Sequence, residues 1–183
     1  MSRGTILAIS RVYGIPESLD RRIGALYANI TSTIRTPDGN FDFFEVLAGV
    51  LQGDTLAPYL FIIALDYVLR TLIDKHSELG FTLQPRRSRR YPATTITDAD
   101  FADDLPVLAN NSNNAEQLFL LLEKAGEAVG LRVNYNKINF IAFQQDVNTI
   151  KGRSGEQLEK ANDFKYLGFW LASSSTDMEI RIA

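Results

Sequence analysis

The chain has 183 residues, 45% of them hydrophobic and 22% charged, which is enough apolar material for one sizeable core, or for a core with part of a second lobe. Its net charge of −3 argues against binding polyphosphate chains, which takes clustered Lys and Arg, and its lack of cysteine excludes disulfides and thiolate metal sites. No apolar run approaches the ~20 residues of a membrane span, and no secretory signal follows Met1.

The pattern predicts helices over residues 3–12 and 17–29, broken by Gly14-Ile15-Pro16. Leu19, Ile23, Leu26 and Ile30 give the second a stripe at helical spacing. Residues 31–36 and 41–46 read as two strands around Pro37-Asp38-Gly39. Residues 49–58 mix Gly, Asp and Thr and read as a loop leading into a helix over 59–75, apolar enough to be buried on most sides. Residues 81–97 read as loop and strand. Residues 99–109 are short and apolar, interrupted by two adjacent aspartates. Asn113 is a plausible N-cap for the next helix, with Glu116 completing a capping box and Gly130 ending it. Residues 131–133, 138–143 and 164–171 read as further strands. This order predicts an α+β layer, one sheet with helices packed on one face.

Charge is unevenly spread. Residues 1–97 carry 11 basic and 9 acidic side chains, and residues 98–183 carry 8 and 13. Arg86-Arg87-Ser88-Arg89-Arg90 holds four of the basic residues. This run reads equally as a phosphate-contacting or nuclear-localisation patch and as a solvated loop tip.

Phe101-Ala102-Asp103-Asp104-Leu105 is the sharpest local feature. Paired carboxylates at a hairpin tip can aim oxygens at one point, as Mg²⁺ and other hard cations require. Two such ions can stabilise the attacking and leaving oxygens of phosphoryl transfer. Aspartate is also an ordinary turn residue, so the pair alone leaves a plain Asx turn open. Gly49-Val50-Leu51-Gln52-Gly53-Asp54-Thr55 is a second candidate: Gly53 permits close approach and Gln52 offers donor and acceptor. By itself it also reads as a helix entry. His76, the sole histidine, attracts no role.

Taken together these segments resemble the reverse transcriptases of non-LTR retrotransposons. The Gln52-Gly53 segment resembles motif B. Phe101-Ala102-Asp103-Asp104 resembles the Tyr-Ala-Asp-Asp box of motif C, with phenylalanine in place of tyrosine. Gly130-Leu131-Arg132-Val133-Asn134-Tyr135-Asn136-Lys137 resembles motif D, and Phe164-Lys165-Tyr166-Leu167-Gly168 resembles motif E, the primer grip. Four motifs stand in the family's order, and the likeness begins as early as Tyr13-Gly14-Ile15-Pro16.

The resemblance implies a right-hand polymerase palm with part of the fingers and the start of the thumb. Residues 1–48 would form the end of a palm helix and a fingers-like hairpin, 49–150 the palm core, and 151–183 the primer grip and thumb start. It implies templated nucleotidyl transfer with Mg²⁺ (or Mn²⁺), an RNA template, a DNA primer and deoxynucleoside triphosphates. Asp103 and Asp104 would serve the metals, with Asp103 the principal ligand. Gln52 and Gly53 would line nucleotide and template, and Phe101 the sugar and primer terminus. Lys137 would protonate pyrophosphate (or be an exposed strand-end lysine). Leu167 and Gly168 would form the turn that positions the primer end. An intracellular location, nucleus or cytoplasm, goes with the family.

The sequence departs from the family pattern in several places. No residue matches the third metal-binding aspartate, that of motif A: Asp20 falls in a helix, and Asp98 and Asp100 precede the pair on its own strand. These 183 residues are therefore expected to be inactive alone, with the missing polymerase segment and an endonuclease domain supplied by a parent polypeptide. Pro106 is unusual in a strand, and Ile138 stands where threonine is usual. A non-catalytic nucleic-acid-binding remnant using residues 86–90 is the alternative. A sugar-nucleotide transferase built on Asp98-Ala99-Asp100 explains only one feature.

Overall fold

Ser2 starts the first helix, α1 (Arg3–Val12), because its hydroxyl accepts the Thr5 amide at 3.1 Å. The computed structural model describes residues 1–101, 104–143, 147 and 149–173, with the backbone alone at Leu72, Ile73 and Asp74. It divides into two units, Met1–Leu72 with Ala125–Leu131, and Ile73–Lys124 with Arg132–Ala183.

In the first unit α1 ends at Gly14. Its positive φ of 75° lets the Ile15 amide reach back to the Ser10 carbonyl at 3.1 Å. Pro16 then leads into α2 (Glu17–Leu26). The two helices share a buried carboxylate. Asp20 is 1% exposed and accepts from the Ser10 hydroxyl at 2.7 Å and from Arg11 Nε at 2.6 Å. A buried charge is tolerated only when partnered in this way. Helix α3 (Ala57–Val68) carries Pro58 in its first turn, where a missing N–H costs nothing. It buries Ala57, Leu60, Ala64 and Val68, one stripe at helical spacing. Ile6, Ile23, Tyr27 and Leu60 form the core, flanked by Leu7, Ile30, Val50, Leu51 and Leu56.

Two expectations for α3 are corrected. Only one face is buried, since Tyr59 and Ile62 stand exposed. The regular helix stops at Val68 rather than 75. It widens to a π-helical stretch, Leu69–Ile73, and tightens to a 3₁₀ stretch, Asp74–Leu79, kinked at His76 (φ −121°). The Thr71 hydroxyl bonds back to the Tyr67 and Val68 carbonyls, a contact that disturbs a helical ladder.

The expected hairpin over 31–46 is present, with a fault. Strand β1 (Thr31–Ser32) pairs with β4 (Phe44–Glu45), and β2 (Arg35–Thr36) with β3 (Gly39–Asn40), both antiparallel. Between the ladders three residues, 41–43, oppose two, 33–34, which is a β-bulge. Pro37-Asp38 makes the two-residue turn between Thr36 and Gly39.

In the second unit β5 (Phe81–Gln84) pairs antiparallel with β6 (Thr94–Ile96). Helix α4 (Ser112–Ala128) starts from Asn111, not Asn113: Asn111 Oδ1 accepts the Asn114 amide at 2.9 Å. Glu116 completes no capping box. Its carboxylate accepts the Lys151 amide at 2.9 Å, 35 residues away. Phe119 packs with Ile150 and Leu158, and meets Tyr135 edge-on at 6.1 Å. Buried Glu123 accepts from the Tyr135 hydroxyl and, at 2.8 Å, from the Arg153 amide. The helix closes as expected at Gly130, φ 77°, with the Leu131 amide on the Gly126 carbonyl at 2.8 Å.

Residues 131–133 form no strand. Asn134 caps a single 3₁₀ turn, Tyr135–Lys137, and β7 is only Asn139–Phe140, parallel to β8 (Glu159–Lys160). Last come β9 (Asp163–Tyr166) and β10 (Phe169–Ala172), antiparallel, so the one strand expected over 164–171 is a hairpin, broken where Leu167 and Gly168 take positive φ. The mixed α+β character is as expected. The single sheet is not: among the described residues the strands join as separate two-stranded ladders. Short strands, the bulge and a donor-less proline at 106 each stop a ladder from propagating.

The capping assignment is open to test. Asn111→Ala should cost about 1 kcal/mol of stability in thermal denaturation, and Asn113→Ala well under half of that.

Candidate functional site

The aspartate segment is a hairpin. The Phe101 and Asp104 backbones exchange both hydrogen bonds at 3.0 Å, with residues 102 and 103 between them in sequence. Asp98 then faces Val107, and the Leu108 amide reaches the Thr97 carbonyl at 2.7 Å, all in one register. Residues opposite each other in an antiparallel pair point to one face, so Phe101 and Asp104 are neighbours. Both are exposed, Phe101 by 62%. Ala102 and Asp103, the second of them the expected principal ligand, lie outside the described residues. Among the described residues no three His, Asp or Glu side chains gather as a metal-binding group. The exposed Asp104 carboxylate is nonetheless a hard oxygen donor of the kind Mg²⁺ takes.

The Gln52-Gly53 segment belongs to the first unit. Both residues are exposed, and Gly53 has a φ of 88° that disfavours any side chain. Asp54 holds this turn. Its Oδ1 accepts the Leu56 amide at 3.2 Å as α3 begins, and its Oδ2 accepts the Tyr27 hydroxyl. Arg3 braces the same tyrosine from the other side. One guanidinium nitrogen donates to the Tyr27 carbonyl at 2.5 Å, another to the Val46 carbonyl, and the guanidinium lies 5.8 Å from the ring centre. The Tyr27 hydroxyl holds the Asp54 carboxyl below its ordinary 3.8, helped by the Leu56 amide. Burial, then the Asp54 carboxylate, pushes Tyr27 up to about 12.

Lys137 ends the 3₁₀ turn and is exposed, and no hydrogen bond or ion pair among the described residues joins it to Asp104. Leu167 and Gly168 make a two-residue turn with positive φ at both, 48° and 88°, as a type I′ hairpin demands. Leucine carries a steric cost there that glycine does not. The hairpin around this turn exposes Phe164, Phe169 and Trp170. Arg86, Arg87, Arg89 and Arg90 are exposed in the loop between β5 and β6.

Sequence reasoning passed over three working residues. Asp54 sits inside the motif B segment, and Tyr27 was only a helix residue. Tyr166 lay inside the recognised motif E with no role of its own; its hydroxyl bonds the Ala99 carbonyl at 2.5 Å in the aspartate hairpin. Pro106 was the available signal for the last.

With this geometry in view, the chain matches the family described as "Reverse transcriptase (RNA-dependent DNA polymerase)" over residues 12–171. It is similar to the retrovirus-related Pol polyprotein from type-1 retrotransposable element R2 of Popillia japonica, 28% identical over 95% of this chain and 29% of that protein. It is likewise similar to the retrovirus-related Pol polyprotein from type-2 retrotransposable element R2DM of Drosophila melanogaster, 27% identical over 92% of this chain and 16% of that protein. The chain thus spans less than a third of the length of these curated relatives.

The Asp54–Tyr27 pair predicts a pH signature. A lowered carboxyl contributes stability that is complete above its unfolded value and is lost as pH falls through the folded one. The raised Tyr27 contributes below 10.0 and loses its contribution as pH rises towards about 12. Asp54→Asn should therefore be less stable than the parent chain at neutral pH, with the deficit shrinking towards pH ~3 in denaturant titrations. A deficit independent of pH would show the carboxylate is not the group responsible.

Proposed function

The chain belongs to the reverse transcriptase (RNA-dependent DNA polymerase) family, and on that premise we propose that it is the palm-centred part of a non-LTR retrotransposon polymerase that copies an RNA template into DNA. The observation that carries this reading is the exposed, backbone-paired Phe101 and Asp104, inside the matched segment. The names of the two relatives, both Pol polyproteins of R2 elements, support the retrotransposon origin.

In this reading residues 1–48 supply the end of a palm helix and a fingers-like hairpin, 49–150 the palm core, and 151–183 the primer grip and thumb start. The primer 3′-hydroxyl gives up its proton to solvent as its oxygen forms a bond to the α-phosphorus of the incoming nucleotide. The bond from that phosphorus to the bridging oxygen breaks, and pyrophosphate leaves. Asp103 and Asp104 are the carboxylates that hold Mg²⁺ or Mn²⁺, which when bound supplies positive charge to the attacking and leaving oxygens. Gln52 and Gly53 line the nucleotide and template, on a turn braced by Asp54 and Tyr27. Phe101 packs at the sugar and primer terminus, beside Asp104. Lys137 gives a proton to the departing pyrophosphate. Leu167 and Gly168 position the primer end.

Only the Asp103–Asp104 pair among these residues matches a metal-binding motif of the family. The 183 residues by themselves are inactive, and a third carboxylate comes from elsewhere in the parent polypeptide. Primer extension on an RNA template by the full-length polypeptide tests this. Mg²⁺-dependent synthesis should fall by ~10²-fold or more in Asp103→Ala. Unchanged synthesis in that variant rejects the polymerase reading. Asp103-dependent nucleotide incorporation by the isolated 183 residues rejects the claim that they are inactive alone.

A second reading has its own observation, the four arginines exposed in the β5–β6 loop. In it the chain is a non-catalytic nucleic-acid-binding remnant. Binding to RNA or DNA should weaken steeply with salt. Replacing Arg86, Arg87, Arg89 and Arg90 by alanine should flatten the salt slope by about 0.7–0.9 for each phosphate that is no longer neutralised. Binding without synthesis, abolished in that variant, favours this reading.

A further inference from the structure

The hairpin that carries Phe101 and Asp104 has a gap written into its sequence. Its register places Ala99 opposite Pro106. The Ala99 amide donates to the Pro106 carbonyl at 3.3 Å. The return bond, from the amide of residue 106 to the Ala99 carbonyl, cannot form because proline has no N–H. That carbonyl is left without its ladder donor only two residues from Phe101. A phenol from far along the chain meets it: the Tyr166 hydroxyl donates at 2.5 Å across a sequence separation of 67 residues.

Tyr166 is the last residue of β9. It pairs with Phe169 and so closes the hairpin directly over Leu167 and Gly168. One hydrogen bond therefore ties two turns together. At one end is the closing pair of the Leu167-Gly168 turn. At the other is the strand that leads into the Phe101–Asp104 pair.

We propose that Tyr166 is a positioning residue, which holds the Leu167-Gly168 turn at a set distance from the aspartate hairpin, and that Pro106 keeps the Ala99 carbonyl open to receive it. The proposal rests on reading these turns as primer grip and metal-bearing turn. The physical case is one of geometry more than stability. An exposed hydrogen bond adds little to folding, but a rigid phenol with a single donor sets a length. Primer terminus and carboxylates must meet within a narrow tolerance, and a misplacement near 1 Å can cost about 10²-fold in rate.

Tyr166→Phe removes the donor and keeps the ring. Pro106→Ala restores an amide that can satisfy the Ala99 carbonyl within the ladder, without restoring the tether. The two variants and their combination are to be compared in two assays. Amide hydrogen exchange of Phe101 and Asp104 in the 183-residue chain reads the hairpin itself. Single-nucleotide primer extension by the full-length polypeptide reads the reaction.

Tyr166→Phe should raise exchange at both amides by roughly fivefold, the equivalent of one modest hydrogen bond. It should lower kcat by about tenfold with the KM for nucleotide unchanged. Adding Pro106→Ala should restore slow exchange and leave kcat low, because the carbonyl is satisfied but the turns are no longer joined. Full kcat in Tyr166→Phe overturns the proposal. So does recovery of kcat in the double variant above that of Tyr166→Phe alone, which would make Tyr166 only a partner for a stranded carbonyl. Synthesis that survives Asp103→Ala rejects the polymerase reading and this proposal with it. A fully active Tyr166→Phe enzyme beside an inactive Asp103→Ala enzyme rejects the tether alone.

Discussion

Two backbone hydrogen bonds between Phe101 and Asp104 set the terms for the rest of the site. Together with the Asp98–Val107 bridge and the Leu108–Thr97 bond, they fix one register for the two segments. That register sets Phe101 and Asp104 on one face and Ala99 against Pro106. A slip of one residue would send each side chain to the opposite face. The chemistry attributed to the aspartates and the contact made by Tyr166 both follow from this pairing.

The first unit solves a different problem, which is to hold an exposed glutamine and glycine in a defined turn. It does so from below. Asp54 takes the Leu56 amide in the turn before α3 and the Tyr27 hydroxyl, while Arg3 bonds the Tyr27 and Val46 carbonyls. A charged, partly buried network of this sort adds limited net stability, since desolvation offsets much of the attraction. It does specify one arrangement. The flanking apolar core of Ile6, Ile23, Tyr27 and Leu60 contributes on the order of 2 kcal/mol per large side chain. Aliphatic packing thus holds the helices, and polar contacts choose the turn.

The helices were legible because their signals are local. Ser2, Gly14, Pro16 and Gly130 act within one or two turns, so α1, the start of α2 and the end of α4 lie where the pattern puts them. Helix α2 stops at Leu26 rather than 29, and Leu19 and Leu26 of its expected stripe are exposed. The start of α4 was misread because Asn111 and Asn113 offer the same chemistry, and Glu116 looked like the partner of the second. Its carboxylate instead found the Lys151 amide. The long helix over 59–75 failed similarly: its apolar run continues, but Thr71 and the kink at His76 end the regular ladder. The single sheet expected from strand order became separate ladders, because pairing length depends on bulges and on donors that periodicity does not reveal.

From the sequence alone came the family, the order of its four motifs and the hairpin around the aspartates. Each rests on residue types whose backbone or side-chain chemistry acts on near neighbours. Tertiary structure alone decided which distant groups meet: Tyr166 on Ala99, Glu123 with Tyr135 and Arg153, Asp54 with Tyr27. The physical reason is that a hydrogen bond needs its partners within about 3 Å. Sequence states which groups can donate or accept, but only the folded chain brings two of them that close when many residues separate them.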